Sequence, residues 1–179
     1  MANTHSHRGD TGTTTHPFSG RVSKSDDAIE TVGLFDEAQV AIGYAIGACK
    51  SRETQEVRTD LLRCLDDLFA CGAHAFTSDE IDTETTWLDS RISELNAELP
   101  PLHSFIKPIG NEPSGRLHLA RVAVRRLERQ LWRNSSENDS VTTPERSLDR
   151  TTGADAPPYA SFINRLSDYL FAAARYANR

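Results

Sequence analysis

Arg121, Arg125 and Arg129 recur at i, i+4 and i+8, with His118 and Glu128 on the borders of the row. On an α-helix this spacing lays three guanidinium groups along one line. Each is permanently charged and presents a planar fork of donors that matches phosphate oxygens. The row therefore suits a phosphorylated ligand, and it reads equally as an ordinary solvated helix face. A second polar set lies near the C-terminus, where Asn164, Arg165 and Asp168 interrupt Tyr159, Phe162, Ile163, Leu166, Tyr169, Leu170, Ala173 and Ala177. The apolar residues recur at three- and four-residue steps and mark one buried helix face. Asn164 and Asp168 stand at i, i+4, and Arg165 and Asp168 at i, i+3, so one connected polar cluster is predicted. A third set is Gly9-Asp10-Thr11-Gly12 with Thr13, Thr14 and Lys24. Its glycines admit close backbone approach to phosphate, its threonines add hydroxyl donors and its lysine adds a point charge. No Walker A Gly-Lys-Ser/Thr follows, and a polar terminus with two glycines also reads as plain flexible chain.

The 179 residues carry a net charge of −6, which argues against a dedicated nucleic-acid binder. Positive charge is nevertheless concentrated. Arg116, Arg121, Arg125, Arg126, Arg129 and Arg133 share a short segment with a single acid, Glu128. A local basic site on an acidic chain favours a compact anion over a long polyanion. No apolar run is long enough to span a bilayer, and no apolar stretch follows the charges at the N-terminus, so a cytoplasmic protein without a membrane partner is expected. Cys49, Cys64 and Cys71 show neither Cys-x-x-Cys nor zinc spacing and read as buried free thiols. His5 and His7 fall in a polar segment, and no transition-metal ligand is assigned.

These sets need a frame. Residues 1–24 have no hydrophobic period and read as an arm or loop, while residues 25–179 read as one helical domain. Ser25-Asp26-Asp27 supplies a cap and N-terminal negative charge for a first helix carrying Ile29, Val32, Phe35, Ala38, Ile42, Ala45 and Cys49 at helical spacing. A second helix is predicted over about 53–76, with Val57, Leu61, Leu65, Leu68, Phe69 and Gly72 on one side. A third, over about 83–99, presents Trp87, Leu88, Ile92, Leu95 and Leu99 before Pro100-Pro101 stops it. Residues 102–113 form a connector. Ser114 is the expected cap of a fourth helix, in which Leu117, Ala120, Val124, Leu127 and Leu131 keep a seven-residue rhythm. Residues of about 134–158 turn to Ser, Thr, Asp, Glu and Pro, a mobile linker before the final helix. No segment alternates convincingly as a β-strand. The expected architecture is all-α, a five-helix up-and-down bundle.

Five motifs in order resemble those of the PduO-type ATP:cob(I)alamin adenosyltransferases, a corrinoid adenosyltransferase family. The final helix, Asn164-Arg165-Leu166-Ser167-Asp168-Tyr169-Leu170-Phe171, is similar to N-R-L-S-D-x-L-F. His118-Leu119-Ala120-Arg121 with Arg125-Arg126-Leu127-Glu128-Arg129 resembles H-x-A-R-x-x-x-R-R-x-E-R. The Gly9 to Thr14 loop and the Arg21 to Asp27 segment look like T-G-D-x-G-x-T and R-x-x-K-D-D. Gly33-Leu34-Phe35-Asp36-Glu37 matches G-x-x-D-E, and Phe105-Ile106-Lys107-Pro108-Ile109-Gly110 is close to F-x-x-P-G-G. Together they run from about residue 4 to 178, outside the linker. Arg8, Ala38-Gln39 and Ile109 depart from the pattern. Ile109 takes the place of a glycine, and a β-branched residue adopts left-handed backbone angles only at a cost, so the connector is predicted to follow a different path.

The resemblance implies a ferritin-like, cobalamin adenosyltransferase-like bundle, trimer-forming, with active sites between the subunits of a homotrimer. It implies transfer of the 5′-deoxyadenosyl group of ATP to Co(I) of a corrinoid such as cobalamin, giving adenosylcobalamin and triphosphate, with Mg²⁺ accompanying ATP. On its motifs, Gly9, Asp10, Thr11, Gly12, Thr13, Thr14, Lys24, Arg125, Glu128, Arg129 and Asn164 are expected to bind ATP, and Phe105, Asp168 and Phe171 the corrinoid. Phe105 is expected to fill the lower face of the corrin and keep cobalt four-coordinate; read from the residues alone it is an ordinary core phenylalanine. Asp36 is expected to pair with Arg121 across a subunit boundary, and Arg125, Phe105, Asp36 and Arg121 to carry the catalysis. A flavoprotein reductase and an adenosylcobalamin-dependent acceptor enzyme are the implied partners. Two other readings stay open: a catalytically weak cobalamin carrier or regulator, and a structural bundle whose arginine row meets another macromolecule.

Overall fold

The structure, a computed structural model, describes residues 7–17, 19–74, 84–138 and 159–179. These form a hairpin of β1 (Thr13–His16) and β2 (Gly20–Ser23), then α1 (Asp27–Ala48), a 3₁₀ turn (Arg52–Thr54), α2 (Gln55–His74), α3 (Thr86–Ala97), α4 (Glu112–Asn138) and α5 (Ala160–Tyr176). The expected all-α bundle of five helices is present. Helix α4 packs on both α1 and α5, while α2 packs on α1 and α3 on α5. One continuous apolar core joins them.

Local chemistry sets the boundaries. The Asp26 carboxylate accepts from the Ala28 amide at 2.9 Å, and Asp27 and Glu30 put negative charge in the first turn of α1. Helix α4 begins two residues before the predicted cap at Ser114. The Asn111 side chain accepts from the Ser114 amide at 3.0 Å, which makes Asn111 the cap and leaves Ser114 buried inside the first turn. Pro113 is tolerated there because amides of a first helical turn have no intrahelical acceptor. The helix also runs on to Asn138, through the first residues of the predicted linker. Residues 139–158 of that linker, residues 75 and 76 of the predicted second helix and residue 83 of the third lie outside the described residues.

The hairpin corrects the expectation that no strand forms. Its strands pair Thr13 with Ser23, Thr14 with Val22, Thr15 with Arg21 and His16 with Gly20. Four-residue strands are too short for an alternation to stand out, and Gly20 takes a left-handed φ of 70° where the chain re-enters the ladder. Phe69 is a second correction. It is 67% exposed, because the buried side of α2 runs through Val57, Leu61, Cys64, Leu68 and Cys71, one residue step away. All three cysteines are free and buried, and burial pushes the Cys71 thiol up to about 12. The final helix follows its apolar pattern throughout, with Phe162, Ile163, Leu166, Tyr169, Leu170 and Ala173 fully enclosed.

Asp60 of α2 ties three helices together. It accepts from the Tyr169 hydroxyl of α5 at 2.9 Å and from Arg91 Nε of α3 at 2.9 Å, and Arg91 also reaches Glu56 at 3.2 Å. Burial, then the Asp60 charge, raises the Tyr169 pKa far above the ordinary phenol range, so Tyr169 stays a neutral donor. Asp60→Ala removes the acceptor of a fully buried hydroxyl and is expected to cost about 2–4 kcal/mol of unfolding free energy. Tyr169→Phe, which leaves Arg91 paired, is expected to cost about 1 kcal/mol. Urea denaturation of both variants measures the difference.

Candidate functional site

Burial of Leu117, Ala120, Val124, Leu127 and Leu131 fixes the rotation of α4 and thereby aims its charged side chains. Arg126 turns to α1, where it meets Glu37 at 3.0 Å and Glu30 at 3.3 Å. Arg125 and Arg129 face solvent, joined only by a hydrogen bond from the Arg129 guanidinium to the Arg125 carbonyl at 3.0 Å. Arg121 is half-buried. Its Nε is enclosed without an acceptor among the described residues, and its guanidinium lies 5.8 Å from the centroid of the Phe171 ring. Among the described residues none of Arg121, Arg125 and Arg129 has an ion pair. Burial, and then the charge of Arg125, lowers the Arg121 pKa. Like charges at i, i+4 cost a helix roughly 0.2–0.5 kcal/mol per pair, and no acid among the described residues pairs with this row to offset that repulsion.

His118 borders the row, 7% exposed, with its ring 6.2 Å from Phe171 and its Nδ1 without a partner among the described residues. Burial first, and the Arg121 charge second, depress its pKa.

The second predicted cluster assembles differently. Asn164 donates through Nδ2 to Glu128 of α4 at 2.9 Å and accepts at Oδ1 from Arg165 at 3.2 Å. Arg165 then pairs through Nε with Asp89 of α3 at 2.8 Å, while Asp168 stays exposed without a hydrogen bond or ion pair among the described residues. The expected Arg165–Asp168 contact does not form. Helical side chains lean toward the N-terminus, which carries Arg165 away from Asp168 and toward α3. Asp89 went unnoticed because nothing in its spacing relates it to Arg165.

The N-terminal loop closes on itself. The Lys24 amide donates to the Gly12 carbonyl at 2.9 Å, and Gly12 has φ 76°. A Cβ at Gly9 would stand 3.1 Å from Lys24 Nζ, so the ammonium lies against the glycine turn. Thr11 and Thr13 share a hydroxyl contact of 3.3 Å, and the Arg8 carbonyl accepts from Arg21 at 2.6 Å. Thus the structure groups Gly9, Asp10, Thr11, Gly12, Thr13 and Lys24 in one turn. No hydrogen bond or ion pair among the described residues joins this turn to the α4 row.

The connector stands off the bundle. Phe105 is wholly exposed at 105%, which rules out the core-phenylalanine alternative within the chain, and Ile109 is 74% exposed. His7 is the one non-glycine residue with positive φ among the described residues, so the left-handed requirement expected at Ile109 does not arise. Gly110 is the position without room. A Cβ there would fall 2.6 Å from Asn178 Cγ, where the Asn178 side chain accepts from the Asn111 amide at 2.9 Å. Between connector and bundle lies a cavity of about 310 Å³, lined by Ile106, Lys107, Ile109, His118 and Arg175 among others. Along α1 and α4, Asp36 borders an apolar groove of about 470 Å³ with Val40, Tyr44, Leu119 and Val122. Asp36 has no ion pair among the described residues, so it and Arg121 do not meet within one chain.

The cobalamin adenosyltransferase family model matches residues 4–177. The chain is 37% identical over 185 residues to the corrinoid adenosyltransferase of Mycobacterium tuberculosis H37Rv, covering 95% of this chain and 86% of that protein. It is 31% identical over 166 residues to the Bacillus subtilis corrinoid adenosyltransferase, covering 89% and 78%. A solved structure of a Phe-to-Ala variant of the PduO-type ATP:corrinoid adenosyltransferase of Lactobacillus reuteri, complexed with cobalamin and ATP, superposes with a TM-score of 0.80 at 30% identity, covering 98% of this chain and 93% of that one.

The depressed pKa of His118 has a direct consequence for stability. The unfolded chain binds a proton at the ordinary imidazole value near 6.5, and the folded chain only at lower pH, so folding loses stability as pH falls below about 6.5 and the loss levels off below the folded pKa. His118→Gln is expected to show a shallower decline in unfolding free energy between about pH 7 and pH 5 than the parent protein. Denaturant titrations across that range compare the two slopes.

Proposed function

The chain belongs to the cobalamin adenosyltransferase family, and on that premise we propose that it transfers the 5′-deoxyadenosyl group of ATP to Co(I) of a corrinoid and releases triphosphate. The observation that carries the reading is the α4 row. Arg121, Arg125 and Arg129 are held side by side without an acidic partner among the described residues, on a chain whose net charge is −6. A polyphosphate supplies what such a row lacks.

The reaction needs little proton chemistry. Cobalt(I) provides the electron pair that attacks carbon 5′, a Co–C bond forms, and the C5′–O bond breaks with its electrons leaving on the triphosphate. The cobalt ends two electrons poorer, and no general base is required. What remains for the protein is to bring the two substrates together and to stabilise charge on the departing group. In this reading Arg125 and Arg129, Lys24 and the Gly9 to Thr14 turn hold the phosphates, and Glu128 and Asn164 bind beside them. Mg²⁺ favours oxygen ligands and would be held here largely through the substrate phosphates. Phe105, projecting from the connector, covers the lower face of the corrin, with Phe171 and Asp168 on the same substrate. An aromatic face in place of a lower ligand keeps cobalt four-coordinate and eases its reduction.

Asp36 pairs with Arg121 of a second copy, in a homotrimer whose active sites lie between subunits. The exposed Val40, Tyr44, Leu119 and Val122 beside Asp36 support an apolar contact there. Among the described residues no helix is long and apolar enough to cross a membrane. The proposal places the enzyme in the cytoplasm, with a flavoprotein reductase supplying electrons and an adenosylcobalamin-dependent enzyme taking the product. The carrier alternative rests on Ile109, which does not take a left-handed φ, and retained corrin binding without triphosphate release would favour it.

Arg125→Ala is expected to lower kcat/KM by about 10²–10³-fold, the loss typical when one donor to developing charge is removed. Parent-like kinetics in that variant would remove the phosphate assignment. Phe105→Ala is expected to slow turnover from Co(II) under a reducing system far more than turnover from chemically prepared Co(I), with ATP binding unchanged. Parallel assays from the two oxidation states, with the melting temperature as control, decide whether Phe105 acts on the metal's coordination.

A further inference from the structure

We infer that Asp89 and Arg165 are positioning residues that set the orientation of Asn164 and Glu128 toward the nucleotide; this rests on the reading of Asn164 and Glu128 as ATP-binding. The four side chains form one chain of contacts across three helices. Asp89 of α3 holds Arg165 Nε at 2.8 Å, Arg165 donates to Asn164 Oδ1 at 3.2 Å, and Asn164 Nδ2 donates to Glu128 Oε1 at 2.9 Å. A primary amide is nearly symmetrical in shape, and its neighbours decide which end points where. Guanidinium only donates and an ionised carboxylate only accepts, so Arg165 claims the amide oxygen and Glu128 claims the amide nitrogen. One orientation of Asn164 satisfies both.

Asp89 adds the remaining constraint. Arg165 is 43% exposed and carries a long, rotamer-rich side chain, which by itself would sample many directions. Its planar fork, once fixed at Nε, aims the neighbouring nitrogen at Asn164. The pair has little to contribute to folding, since Asp89 is 52% exposed and ion pairs in water are weak. Its consequence falls on geometry. Glu128 stands among arginines of the α4 row, and a carboxylate free to swing there would pair with Arg125 or Arg129 and take them from the phosphates. Held by Asn164, it leaves them available.

The test is a cycle of three variants, Asp89→Asn, Asn164→Ala and the double variant, assayed anaerobically with cob(I)alamin and ATP. Asp89→Asn is expected to raise the KM for ATP about five- to tenfold, leave the KM for cob(I)alamin and the melting temperature unchanged, and recover in part as Asp89→Glu. In the Asn164→Ala background, Asp89→Asn is expected to add nothing, because its effect passes through the amide. Independent, multiplying effects overturn the inference, as does an Asp89→Asn variant whose KM for ATP stays within about twofold of the parent value. A parent protein that produces no adenosylcobalamin overturns the functional reading and this inference with it. Parent turnover with an ATP defect in Asn164→Ala alone overturns only the positioning role.

Discussion

Helix α4 has to bury an apolar seam while carrying a row of like charges that no acid among the described residues pairs with, and the seam decides how both demands are met. Leu117, Ala120, Val124, Leu127 and Leu131 pack between α1 and α5, and that packing leaves one rotation of the helix available. In that rotation Arg126 reaches Glu30 and Glu37 of α1, whereas Arg125 and Arg129 point to water. Burying a large aliphatic side chain is worth about 1.5–3 kcal/mol, several times the repulsion within the row, so the apolar side can hold an electrostatically unfavourable arrangement in place. The packing sets the face of the helix from which the charges project before any ligand arrives.

The other parts of the site are attached to the same seam. Asn164 projects from α5 to Glu128 of α4, so the polar contact crosses the interface that the apolar residues build. The exposed connector is fastened where α4 begins: Asn111 caps that helix with its side-chain oxygen while its amide donates to Asn178 at the end of α5. Gly110 fits against Asn178 with no room for a Cβ. Phe105 therefore hangs from a loop fixed at the helix end, outside the core and beside a cavity that includes His118 and Arg175. A phenylalanine in full contact with water has no role in stabilising this chain, and its placement agrees with a surface completed by substrate or by a second copy.

Periodicity made the bundle legible. The core faces of α1, α4 and α5 lie where the apolar spacing put them, since a helix that buries one face leaves a three-and-four-residue signature in the sequence. The misreadings came where contacts join residues far apart in sequence or where an element was too short to show a period. Asp89 and Arg165 are 76 positions apart, and only the packing of α3 on α5 brings them together. The four-residue strands of the hairpin and the cap at Asn111 depended on turn geometry, though Asn111 ahead of Pro113 was a signal that could have been read. A glycine position in the motif suggests left-handed backbone, yet neither Ile109 nor Gly110 takes a positive φ, and the constraint at Gly110 is steric. For Phe105 and Asp36 only motif order suggested a role, because neither has a hydrogen-bond or ion-pair partner among the described residues that a local pattern could have revealed.

If the arrangement of charge and exposed aromatic serves adenosyl transfer, the protein converts ATP and a Co(I) corrinoid to an adenosylated product. The most direct measurement incubates the parent protein anaerobically with chemically reduced cob(I)alamin, ATP and Mg²⁺, follows the loss of Co(I) absorption, and identifies the products by chromatography. Adenosylcobalamin and triphosphate are expected in equal amounts. Persistent Co(I) absorption with a folded protein, or phosphate released without a cobalt–carbon bond, would contradict it.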